Sequence, residues 1–151
     1  MAILVSVKVD DKEVRKMFAN IKSGVSSFKE PLTGASDELS QKFFGDKVFQ
    51  TSGAAVGNRW APLAASTLQA RARRTGHYKN APMTTSKILI WTGALKSGFK
   101  NTVTAFKAVI TNKVKYFKFT EQKRAVFGVN AEVISIITKH FEKYLKKIIK
   151  K

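Results

Sequence analysis

Hydrophobic positions change period several times along this chain, and each change marks an element. Ile3, Val5, Val7 and Val9 alternate with polar or small residues and predict a strand. Asp10 or Asp11 then caps a helix whose apolar positions, Val14, Met17, Phe18, Ile21, Val25 and Phe28, recur at three- and four-residue steps until Pro31 closes it. A second helix is predicted over residues 36–50, with Leu39, Phe43 and Val48 facing the core. Phe44 and Phe49 fall off that stripe, which implies a helix covered on two sides.

Residues 51–57 are small and glycine-rich, a turn centred on Trp60 follows, and a short helix is expected over residues 66–74 with Gly76 as its stop. Residues 76–86 carry no period and predict a long, mobile loop. Beyond it Phe99, Asn101 and Val103 alternate, as do Phe106, Ala108 and Ile110, and Asn112-Lys113 separates them from the run 114–119. Three such runs so closely joined predict an antiparallel meander. Asn130 caps a final amphipathic helix with Val133, Ile134, Ile137, Phe141, Leu145 and Ile148 inward and Lys139, Lys143, Lys146, Lys147 and Lys150 outward. The fold class is α+β: a small antiparallel sheet, the meander at about residues 99–119 plus the N-terminal strand, packed against the first, second and last helices.

Composition adds bounds. With 151 residues, 44% of them apolar, the chain buries one ordinary core and is expected to be a single domain over residues 1–151. It has no cysteine, so disulfide and thiolate chemistry are excluded. The start from Met1 to Val9 is too short and interrupted for a signal peptide, and no run reaches the eighteen or so apolar residues of a spanning helix, so no membrane role is expected.

Charge is the loudest compositional signal: 28 basic against 10 acidic residues, a formal +18. A field of that size favours polyanionic partners. Lysine supplies most of it, so a generally solvated basic surface produces the same number. Arginine, the better fork for phosphate, gathers at Arg71, Arg73 and Arg74, and with His77 and Lys79 these residues are the candidate contact for DNA or an acidic partner. The alternative is attraction of basic residues to a helix C-terminus, with nothing bound.

Catalytic constellations are missing. His77 and His140 have no second ligand at metal spacing, and no metal or cofactor is expected. Asp37 and Asp46 lie among basic neighbours on one helix and read as a solvated face. Glu121-Gln122-Lys123 has the Glu-x-Lys order of metal-dependent nucleases, but residues 99–119 hold no acid to complete a cation site. The glycines of Gly53-Ala54-Ala55-Val56-Gly57-Asn58 lack the lysine and hydroxyl of a phosphate-binding loop. The chain is therefore not expected to be an enzyme.

Two motifs remain. Gly57-Asn58-Arg59-Trp60-Ala61-Pro62-Leu63 forms a turn in which Pro62 holds Ala61 extended, followed by Ser66-Thr67; later comes Leu89-Ile90-Trp91-Thr92-Gly93-Ala94-Leu95-Lys96-Ser97, where Thr92 caps a short helix. Trp60 and Trp91 sit beside leucines at turn-to-helix junctions and read as core anchors. The order of Trp60, Pro62, Leu63, Thr67, Thr92, Gly93 and Leu95 resembles the phage virion morphogenesis family, the tail-completion and tail-terminator proteins of the head-tail junction. The resemblance runs over residues 43–128, with Tyr116 and the stretch from Arg124 to Gly128 similar to the family's later tyrosine and arginine-to-glycine segment. Ala64 stands where the family often has a serine cap.

The resemblance implies a non-enzymatic structural protein that caps or completes the tail, or sits in the neck. It implies a homo-oligomeric ring, of six subunits, meeting tail-tube or connector proteins, in a virion assembled in the bacterial cytoplasm. The alternative from charge alone is a basic DNA-binding accessory protein making sequence-independent contacts. Against it stand the missing helix-turn-helix signature and the lack of aromatics interleaved with the arginines.

Overall fold

The computed structural model describes residues 12–79, 87–90 and 92–150. The strand expected over residues 3–9, the larger part of the loop expected over 76–86, and Trp91 lie outside the described residues. The order of elements is α1 (Lys12–Val25), α2 (Lys29–Glu38), a π-helical stretch Leu39–Lys47, α3 (Val48–Gln50), a 3₁₀ turn Ala54–Val56, α4 (Ala65–Ala72), a 3₁₀ turn Gly76–Tyr78, α5 (Ala94–Ser97), β1 (Phe99–Val103), β2 (Ala108–Asn112), α6 (Phe117–Lys123) and α7 (Ala131–Ile149). The fold is α+β, helices around a small antiparallel sheet.

Helix α1 ends at Val25, and Pro31 opens rather than closes a helix: it occupies the third position of α2, in the first turn, where its missing N–H has no intrahelical acceptor to lose. Gly24 and Gly34 let α1 and α2 approach α7, each standing where a Cβ would collide with Ile148 or His140. Tyr144 donates from its hydroxyl to the carbonyls of Gly24 and Ser27. The stripe expected to bury α1 does not do so, because Val14, Phe18 and Val25 are exposed.

The second helix continues from α2 through the π-helical stretch into α3. In that stretch the N–H of Val48 bonds to the carbonyl of Phe43, five residues back, so each turn holds more residues than in an α-helix. The widening brings Leu39, Phe43, Phe44, Val48 and Phe49 into one core cluster. Phe44 and Phe49, off the stripe at α-helical spacing, join that cluster.

Strands β1 and β2 pair antiparallel in a register that sets Phe99 opposite Asn112 and Val103 opposite Ala108. The third strand of the expected meander is absent: the run 114–119 turns and enters α6. Asn112 explains the departure. Its side chain accepts from the Val114 N–H at 3.0 Å and donates to the Leu95 carbonyl at 2.8 Å, an Asx turn that takes the chain out of the sheet. Phe106, read as an alternating position of the second strand, lies before β2 and sits exposed at the hairpin tip against Phe28.

Phe99 of β1 is ringed by Phe44, Phe49, Phe117 and Phe127 at centroid distances of 5.7–6.4 Å, the aromatic centre of the core. Helix α7 begins as expected, with Asn130 Oδ1 accepting from Val133 N–H at 2.9 Å. Val133 and Ile148 are buried, but Ile134, Ile137 and Leu145, assigned inward from their spacing, are exposed. Buried Val133 and half-buried Ile136, His140 and Tyr144 show that the covered face is rotated from the expected one.

Candidate functional site

Trp60 anchors the turn that carries the first motif. It is 4% exposed, stacks edge-on against Phe49 at 5.6 Å, and donates from Nε1 to the Ala125 carbonyl at 2.9 Å. Gly53, at φ +83, gives it room, since a Cβ there would strike the Trp60 ring and the Asn58 carbonyl. The chain after Trp60 is thereby held beside the segment that follows α6.

Around this junction lies a cavity of about 450 Å³. Leu63, Thr67 and Arg71, spaced four apart, present one side of α4 and its approach to it. Ile88 and Leu89 form another wall, Thr92 and Leu95 a third, and Tyr116, Thr120 and Arg124 close it from α6 and its flanks. Leu89 is held at φ 58, a conformation disfavoured for a branched residue. Thr92 accepts from the Ala94 N–H at 3.3 Å, but the N-cap of α5 is Gly93, left-handed at φ 79 with no side-chain cap, and not Thr92 as expected. Motif positions far apart in sequence, Leu63, Thr67, Thr92 and Leu95, thus share one cavity with Tyr116 and Arg124.

Its electrostatics come from two arginines. Arg71 is 8% exposed, donates from Nη1 to the Lys87 carbonyl at 2.9 Å, and sets its guanidinium 5.4 Å from the centre of the Tyr78 ring. The end of α4 makes that contact possible: Thr75 N–H bonds to the Ala70 carbonyl and Arg74 N–H to that of Arg71, with Arg74 left-handed at φ 51, so the chain folds back and brings Tyr78 beside Arg71. Arg74, and not Gly76, occupies the left-handed stop. Arg124 is half-buried; its Nη2 reaches the Ala61 carbonyl at 3.5 Å, and its Nε is shielded from solvent without a hydrogen-bond partner among the described residues. No carboxylate lines the cavity among the described residues.

The basic cluster expected at Arg71, Arg73, Arg74, His77 and Lys79 is therefore divided. Arg73, Arg74 and Lys79 are exposed, while Arg71 turns into the cavity. His77 lies in the turn Gly76–Tyr78, and its side chain is outside the described part. The periodicity that divides them is legible in retrospect, because Arg71 continues the four-residue spacing of Leu63 and Thr67 and the other two arginines do not. That Arg71 and Arg124, more than fifty residues apart, line the same cavity had no local signal.

Other ionisable groups have structural employment. Glu121 accepts from the N–H groups of Val126 and Phe127 at 2.8 and 3.0 Å, which ties down the chain after α6. His140 Nε2 lies 2.8 Å from Glu38, a contact that holds the Glu38 carboxyl below its ordinary range despite partial burial acting the other way. Lys96 does the same to Asp46 at 2.5 Å. Among the described residues no group of three metal-ligating side chains converges, and no helix is long and apolar enough to cross a membrane. No protein-family model, curated protein or solved structure matches this chain.

Proposed function

We propose that this chain is a non-enzymatic structural protein of a tailed-phage or prophage particle, completing or capping the tail at the head-tail junction as one subunit of a ring, of six. The observation that carries the reading is the convergence of the motif residues. Leu63, Thr67, Thr92, Leu95, Tyr116 and Arg124, which bear the resemblance in sequence, line a single cavity with Trp60 holding one wall in place. Scattered chance matches to short motifs have no reason to meet in space.

Exposed apolar side chains support the same role. Phe18, Phe106, Phe119, Val129 and Ile134 are all more than half exposed, and such surface is the raw material of subunit contacts. A ring subunit meets neighbours at its sides and different proteins above and below, so it needs several contact faces. The particle and, during assembly, the bacterial cytoplasm are its proposed locations.

A stop codon early in the gene, in the phage or prophage that encodes it, tests the reading. The expected result is filled heads and tails that do not join, seen by electron microscopy, with joining restored by a plasmid copy. Normal infectious particles would overturn it. A DNA-binding accessory role is favoured by one observation, the exposed Arg73, Arg74 and Lys79. It requires duplex affinity that falls steeply with salt and is halted by charge-neutral replacements at those three positions.

A further inference from the structure

We propose that the cavity between α4, α5 and α6 is a socket for a carboxylate carried on an apolar stem by a partner protein: an acidic side chain flanked by hydrophobic residues, or a chain's C-terminal residue. The wall chemistry points there. Leu63, Ile88, Leu89 and Leu95 offer an apolar sleeve, and Arg71 and Arg124 supply two guanidinium groups at its lining. Planar guanidinium forks match carboxylate geometry, and the reduced dielectric of a half-enclosed site strengthens the attraction.

Among the described residues the subunit does not supply the anion itself. Six of the eight acidic side chains among the described residues already accept hydrogen bonds elsewhere in the fold, and none lines this cavity. Arg124 is half-buried at the lining and its Nη2 makes only a long contact, 3.5 Å, to the Ala61 carbonyl. Duplex DNA fits poorly: its phosphates are fixed on a stiff, convex rod that cannot enter a concavity of about 450 Å³. A flexible peptide can. That the partner is a neighbouring virion protein rests on the reading above; the chemistry of the socket does not.

Two tripeptides test the proposal on the intact chain: acetyl-Leu-Glu-Leu-amide, with a side-chain carboxylate, and acetyl-Leu-Leu-Leu with a free C-terminus. Acetyl-Leu-Gln-Leu-amide is the neutral control, and inorganic phosphate and a short DNA duplex are competitors. At physiological salt, at least one carboxylate peptide is expected to bind saturably, shifting the amide resonances of Thr67, Leu95 and Thr120, with the glutamine peptide weaker by about ten-fold. Which of the two binds tells a side-chain ligand from a chain terminus. Arg124→Gln is expected to remove that preference, whereas Lys79→Gln, outside the cavity, leaves it intact. Equal binding of the glutamate and glutamine peptides, no saturable binding of either carboxylate peptide, or displacement by phosphate and duplex as readily as by peptide would each overturn the socket. The comparison of charged with neutral peptide uses the unmodified protein, so it decides the matter even if Arg124→Gln fails to fold. Loss of the socket with a still-defective stop-codon phage would leave the virion role standing.

Discussion

Arg71, Arg73 and Arg74 are chemically alike and differently employed. Arg71 bonds the Lys87 carbonyl from a nearly buried position, so Arg71→Ala removes a hydrogen bond, a ring contact and packing together. A loss of about 1–3 kcal/mol in urea unfolding is expected. Arg73→Ala, at an exposed position, is expected to stay within about 0.5 kcal/mol of the parent. Ala64 is a second informative residue: it holds the extended N-cap conformation of α4, φ −60 and ψ 146, and offers no side-chain acceptor to the helix amides. Ala64→Ser supplies one, and a gain of about 1 kcal/mol, read as a higher melting temperature, is expected. Glu38 ties stability to pH. The His140 contact, aided by Lys139 and Lys42 and opposed by burial, lowers its folded pKa beneath the ordinary 4.5, so the unfolded chain takes up the proton first. The contribution is complete above that ordinary value and is lost as pH falls through the folded one. The gap in denaturation midpoint between the parent and Glu38→Gln is expected to shrink on going from about pH 6 to about pH 3; a gap that stays constant would show that the contact is not coupled to folding.

At the scale of elements, Gly45 is the most exposed to test. A Cβ there would lie 2.6 Å from the Ser40 carbonyl oxygen and 3.2 Å from that of Lys96, so the π-helical stretch and α5 are packed on a bare backbone. Gly45→Ala is expected to destabilise by about 1–3 kcal/mol in thermal unfolding. Elements with a local signal were readable from sequence: α7 from its period and the Asn130 cap, and the hairpin β1–β2 from alternation. The π-helical stretch was not, because a search at 3.6 residues per turn discards Phe44 and Phe49. Nor was α6, since the run 114–119 alternates like a strand and only the Asn112 side chain, acting across the turn, denies it a pairing edge. Of the cavity, the order of its residues was legible and its depth was not. Nothing local in the sequence says that Arg71 and Arg124 line one cavity.

For the whole molecule, the dominant quantity is the charge of +18. Copies of the chain so charged repel one another at long range, and salt shortens that reach to about 10 Å at 0.1 M. Self-association of the isolated protein is therefore expected to rise with salt, as followed by light scattering. Oligomers stable at low salt that dissociate as salt is added would show the contacts to be ionic instead. The π-helical stretch acts at this scale as well. It sets the rotational phase between α2, which lies against α7, and the Phe43 to Phe49 face that fills the core. One residue removed from that stretch changes the rotational phase and the rise between α2 and the core face. Asn101 would then lose Ser36 and Asp37, and Glu38 would leave His140, although every side chain concerned is unchanged. The fold is thus keyed by a count of residues, and a deletion in 39–47 would dismantle a layer that a substitution there leaves in register.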